Sequence, residues 1–122
     1  MIDKLHTIIT RYDELADLMS QPDAMQDMKA FTKLAREHSG LTELVEHSKK
    51  YIYTYEQLQE DEEILNGDDP ELKELVKDEI GPLKEDITKQ EENTYQTVGI
   101  FQEAAPIEYY RSNYRDSQAR RS

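Results

Sequence analysis

Apolar residues in this chain fall on stripes with helical spacing, and turn residues separate the stripes. Ile2, Leu5, Ile8, Ile9, Tyr12, Leu15, Leu18 and Met19 recur in steps of three and four, which predicts one amphipathic helix over about residues 2–19. Ser20-Gln-Pro-Asp23 ends it, because Pro22 has no N–H to donate and biases Gln21 away from helical backbone. Asp23 is placed to cap the next helix. The second stripe is Met28, Phe31, Leu34, His38, Leu41, Val45, Ser48, Ile52, Tyr55, Leu58 and Leu65, between about Asp27 and Asn66. Its mean step is close to about 3.5 residues, the coiled-coil period. At about 1.5 Å per residue it predicts a rod of roughly 60 Å. Gly40 lies inside it, costs about 1 kcal/mol relative to Ala, and marks a bend or a break.

Asn66-Gly-Asp-Asp-Pro70 is the clearest punctuation in the chain. Gly67 can adopt the left-handed conformation that ends a helix. Asp69 then serves as N-cap and Pro70 as the first helical residue, with Glu71 placing negative charge on the helix dipole. Leu72, Leu75, Val76, Ile80, Leu83 and Ile87 form the third stripe. Gly81-Pro82 interrupts it, and loss of the bond to the Asp78 carbonyl predicts a kink. Beyond about Glu92 the helical period fades. Thr94-Tyr-Gln-Thr-Val-Gly-Ile-Phe101 favours extended structure but has no partner strand in view, Pro106 interrupts again, and the last dozen residues read as a frayed polar end. There is no internal repeat. The expected fold is all-α: an elongated, coiled-coil-like antiparallel helical hairpin over residues 1–92, with a short N-terminal helix packed along it. A weakly structured or partly extended tail occupies 93–122.

Composition supports elongated helices over a deep spherical core. Only 36% of the 122 residues are hydrophobic, 34% are charged, and the mean hydropathy is −0.92. Narrow apolar stripes also leave room for self-association. The net charge of −12 lies entirely in residues 1–91, with 23 acidic and 11 basic groups, while residues 92–122 carry four of each. Such a body repels nucleic-acid phosphates at long range, so RNA contact would need a local patch or a protein intermediary. The chain has no cysteine, hence no disulfide or thiolate chemistry. Asp3 and Lys4 occupy the place where a signal sequence would turn apolar, and no run approaches membrane-spanning length. A cytoplasmic protein with no membrane contact is expected.

Candidate chemistry is sparse. His6, His38 and His47 are far apart, and Glu43–His47 is a single i, i+4 pair, better suited to a surface hydrogen bond than to a metal. Asp61-Glu-Glu63 and Asp68-Asp69 sit at a helix end and in a turn, where they read as solvated faces and caps, not general acid–base pairs. Tyr51 and Tyr55 share a helical face beside Lys49 and Lys50, with Tyr53 pointing elsewhere; packing of the hairpin is favoured over stacking on bases. The four glycines are isolated, so there is no phosphate loop. No catalytic residue and no cofactor is expected. In the tail, Tyr109, Tyr110 and Tyr114 interleave with Arg111, Arg115, Arg120 and Arg121, the mixture that stacking and phosphate contacts require, although Glu108 and Asp116 offset two of the charges.

Met1-Ile-Asp-Lys-Leu5, Arg11-Tyr-Asp-Glu-Leu15, Leu18-Met-Ser-Gln-Pro-Asp23 and Asp68-Asp-Pro-Glu-Leu-Lys-Glu-Leu75 together resemble the N-terminal domain of the bacterial peptide chain release factor 1 family. That family also opens with a short helix carrying a similar Arg-Tyr-Glu-Glu-Leu run, followed by an Asp-Pro turn, a long charged helix and a second Asp-Pro-Glu-Leu turn. The resemblance covers about residues 1–92. It implies a helical bundle that sits on the ribosome near the stalk base and contacts release factor 3, a GTPase. The family's decoding Pro-x-Thr and its hydrolytic Gly-Gly-Gln are not found in these 122 residues, and Gly81-Pro82 is unusual within the family's third helix. No decoding or catalytic residue is therefore carried over. The reading is a truncated, release-factor-like binding domain related to translation termination. The alternative is a free-standing acidic coiled-coil interaction module.

Overall fold

The computed structural model describes residues 1–100 together with Tyr110 and Arg111. Among them, the elements are α1 (Ile2–Met19), a short 3-10 turn (Ala24–Gln26), α2 (Met28–Leu65) and α3 (Pro70–Ile100), with no strand. Both α1 and α3 pack against α2, each antiparallel to it, so α2 is the spine of the molecule. The all-α hairpin with a shorter helix along it is the expected architecture.

The helix boundaries follow from local chemistry. Ser20 closes α1, its N–H donating to the Ala16 and Asp17 carbonyls. The carboxylate that caps α2 belongs to Asp27, not Asp23: the Ala30 N–H donates to Asp27 Oδ1 at 3.1 Å, because the intervening 3-10 turn delays the helix start by one turn. Asp69 caps α3 as expected, accepting from the Glu71 and Leu72 N–H groups at 3.0 and 3.3 Å. Gly67 departs from expectation. No described residue has positive φ; α2 instead tightens at its end, with Gly67 N–H donating to the Ile64 carbonyl at 3.1 Å and Asn66 in right-handed backbone.

The spine buries two faces. Leu34, Leu41, Val45, Ser48 and Ile52 of the expected stripe are buried, but so are Leu44, Tyr51, Thr54 and Asp61, which lie off it. One face meets α1 through Leu5, Ile8, Leu15 and Leu18. Each such side chain contributes about 1.5–3 kcal/mol by leaving water. Across this seam Tyr12 stacks on His38 with ring centroids 4.0 Å apart, and its hydroxyl lies 3.3 Å from Thr42 Oγ1. The other face meets α3 through Val76, Ile80, Ile87, Gln90, Thr94 and Val98. That seam is part polar. Ser48, Thr54 and Thr94 return their hydroxyl hydrogens to carbonyls one turn back, and Gln90 Nε2 donates across to Thr54 Oγ1 at 3.2 Å.

α3 extends to Ile100, so residues 94–100 are helical, not extended. Thr94 and Val98 continue the buried stripe by steps of four and hold these turns against α2. Phe101 and the rest of the expected tail, apart from Tyr110 and Arg111, lie outside the described residues. Gly40 does not break α2, and α3 continues as helix through Gly81-Pro82. Both glycines are exposed, and a Cβ at either position meets no atom within 4 Å.

Gly40→Ala should therefore raise stability by about 0.5–1 kcal/mol. Pro82→Ala, which restores the N–H facing the Asp78 carbonyl, should raise it by about 2 kcal/mol. Urea midpoints at constant slope measure both; a lower midpoint for either variant would contradict the open, continuous helices seen here.

Candidate functional site

Three places on the molecule carry more than routine packing. The first is the tip of the hairpin. Leu65 ends α2, and Leu72 and Leu75 occupy the first turns of α3 one helical turn apart; all three are exposed, Leu75 at 69%. The expected stripe placed Leu72 and Leu75 in the core. The tip has no third helix to cover them, because α1 lies along the other half of α2. Exposed Glu62, Glu63, Asp68, Asp69, Glu71 and Glu74 surround them. A few apolar anchors inside a dense negative field are suited to a partner that is both apolar and basic.

Below the tip, α2 and α3 bring two carboxyl groups together. Asp61 is 5% exposed, and its Oδ2 has no hydrogen-bond partner among the described residues. Exposed Glu79 on α3 is its neighbour, and the Glu79 carboxyl, when protonated, can donate a hydrogen bond to it. That hydrogen bond, then the Asp61 charge, and then loss of water hold the Glu79 carboxyl above its ordinary 4.5. Asp61 is thus a buried contact of the hairpin, where the sequence suggested a solvated run.

The tyrosine cluster is packing. Tyr51 is buried, its hydroxyl donates to Glu91 Oε1 at 3.2 Å, and burial followed by the Glu91 charge pushes its pKa up to about 12. Tyr55 stacks beside it at 6.4 Å, while Tyr53 is 66% exposed on another face. His47 pairs with Thr94 across the hairpin at 2.8 Å. Because the Thr94 hydroxyl gives its hydrogen to the Gln90 carbonyl, the His47 Nε2–H is the donor. Among the described residues no cluster of three or more histidines and carboxylates could hold a metal.

The third place joins α1, α2 and the C-terminal segment. Arg11 is 5% exposed and donates from Nε to Glu37 Oε1 at 2.6 Å. Tyr110 donates its hydroxyl to Glu37 Oε2 at 2.7 Å, and Arg111 Nη2 lies 3.2 Å from Glu14 Oε2. Of the seven tail residues proposed from sequence for RNA contact, these two therefore face carboxylates of the helical body. Tyr109, Tyr114, Arg115, Arg120 and Arg121 lie outside the described residues.

A long two-faced spine, a satellite N-terminal helix and an acidic hairpin tip define an elongated all-helical domain. The chain belongs to the PCRF domain family, whose profile matches residues 8–100. It is 42% identical over 93 residues to peptide chain release factor 1 of Ligilactobacillus salivarius (strain UCC118), an alignment covering 75% of this chain and 26% of that protein. Peptide chain release factor 1 of Sulfurovum sp. (strain NBC37-1) is 40% identical over 90 residues, covering 74% of this chain and 25% of its own length. The same factor of Listeria monocytogenes serovar 1/2a is 39% identical over 93 residues, covering 75% and 26%. The chain thus spans about a quarter of the length of these relatives. No solved structure matches it.

The carboxyl pair generates a pH prediction. Glu79 holds its proton to higher pH in the folded state than in the unfolded chain. The resulting stabilisation is present below the unfolded value of 4.5 and is lost as pH rises through the folded one. Asp61→Asn, which removes the acidic neighbour, should make stability fall less between acid of about pH 4 and neutral pH. Urea unfolding at both pH values measures this; an unchanged or steeper fall in the variant would refute the assignment.

Proposed function

We propose that this chain is a ribosome-associated domain related to translation termination, binding through protein contacts and performing no peptidyl-tRNA hydrolysis of its own. The single observation that carries the reading is the in-register similarity to peptide chain release factor 1 across three quarters of the chain. The partners implied by the resemblance are the ribosomal stalk base and release factor 3, in the cytoplasm. The geometry supports a protein partner over bare RNA: the exposed tip leucines lie among carboxylates, which repel phosphate and attract basic protein surfaces. The absence of Pro-x-Thr and Gly-Gly-Gln from these residues supports binding without decoding or hydrolysis.

The tip leucines are the anchors of this reading. Leu72→Ser with Leu75→Ser should weaken co-sedimentation with stop-programmed ribosomes, or binding to release factor 3, about tenfold or more. Helicity should be unchanged, since neither side chain is in the core. If the unmodified chain binds neither ribosomes nor release factor 3, the proposal is wrong; if it binds and the double variant binds equally well, the tip is not the docking surface.

A further inference from the structure

The contacts of Tyr110 and Arg111 have a role that the docking function does not absorb. Two consecutive residues reach two carboxylates on two different helices: Tyr110 takes Glu37 on α2, and Arg111 takes Glu14 on α1. They straddle the seam where Arg11 and Glu37 form a buried ion pair, 5% and 13% exposed at their side chains. Burying such a pair costs desolvation, which is offset only when the remaining polar atoms find partners. Arg11 Nε occupies one oxygen of Glu37 and the Tyr110 hydroxyl occupies the other, while Arg11 Nη2 is buried without a hydrogen-bond partner among the described residues. The Tyr110 ring lies 5.9 Å from the Arg11 guanidinium carbon, within cation–π range, and so covers the cation as well.

We propose that Tyr110 and Arg111 form a clasp over the α1–α2 seam, which covers the Arg11–Glu37 pair and ties positions 110 and 111 to both helices of that seam. The two arms differ in character. The Tyr110 arm acts on a partly buried carboxylate and resists salt. The Arg111–Glu14 arm, with side chains 41% and 29% exposed, is screened by salt and opens first. A closed clasp holds both residues on the protein's own carboxylates; an opened one releases them from Glu37 and Glu14. The clasp couples α1 to a position nearly a hundred residues away in sequence.

Tryptic cleavage after Arg111 in the full 122-residue chain reads the clasp directly. In low salt it should be at least about fivefold slower than in a synthetic peptide of residues 106–122. Tyr110→Phe, Glu14→Gln and added salt should each speed it. Hydrogen exchange should accelerate in α1 in the Tyr110→Phe variant and stay unchanged in α3. Charge reversal of both partners, Glu14→Arg with Arg111→Glu, keeps the ion pair and should restore α1 protection lost in either single reversal, which separates a specific pair from general loss of stability. Peptide-like cleavage of the unmodified chain, or single and double reversals with identical exchange, would overturn the proposal.

Discussion

Everything in this structure depends on one helix being buried from two sides. A chain with so few apolar residues has no surplus for a three-dimensional core. It uses α2 twice: one face holds α1, the other holds α3. Among the described residues, neither satellite helix packs on another element to a comparable extent. Loss of apolar contacts near Leu41, Leu44 and Val45, where the two faces run side by side, therefore weakens both seams at once. Part of the polar content of the α3 face is satisfied locally, since Ser48, Thr54 and Thr94 each bond their hydroxyl within their own helix, while Asp61 Oδ2 and Gln90 Oε1 are buried without a hydrogen-bond partner among the described residues.

The sequence was most legible where the physics is local. The α1 stripe, the Asp69–Pro70 start of α3 and the span of α2 follow from spacing, caps and proline chemistry. The second face of α2 was not legible, because Thr54 and Asp61 look like surface residues until Gln90 and Glu79 are seen opposite them. For the same reason α3 seemed to fade after Glu92: Gln90 and Thr94 are polar letters in buried places. Leu72 and Leu75 failed in the opposite sense. Their spacing was that of core residues, but the tip offers nothing to cover them. The seam at Arg11 could not be read at all, since Glu37 and Tyr110 come to it from distant parts of the chain.

The two ends of the molecule consequently have different characters. At the α1 end, buried charge, stacked rings and a tyrosine from the C-terminal segment make a closed, cross-linked surface. At the tip, two helix ends project past α1 with leucines uncovered and carboxylates all around. The match to the PCRF domain family, residues 8–100, takes in both ends. The tail residues first read as an RNA arm take on a second meaning, since two of them are already engaged with the body.

The most direct test of a protein-docking tip is a site-specific cross-link. A photoreactive side chain replaces Leu72 in the chain bound to stop-programmed ribosomes, with a matched probe at Lys84 on α3 as control. The account predicts adducts to a ribosomal protein or to release factor 3 from position 72, and few from position 84. Adducts to ribosomal RNA alone, or equal yields from both positions, would contradict it.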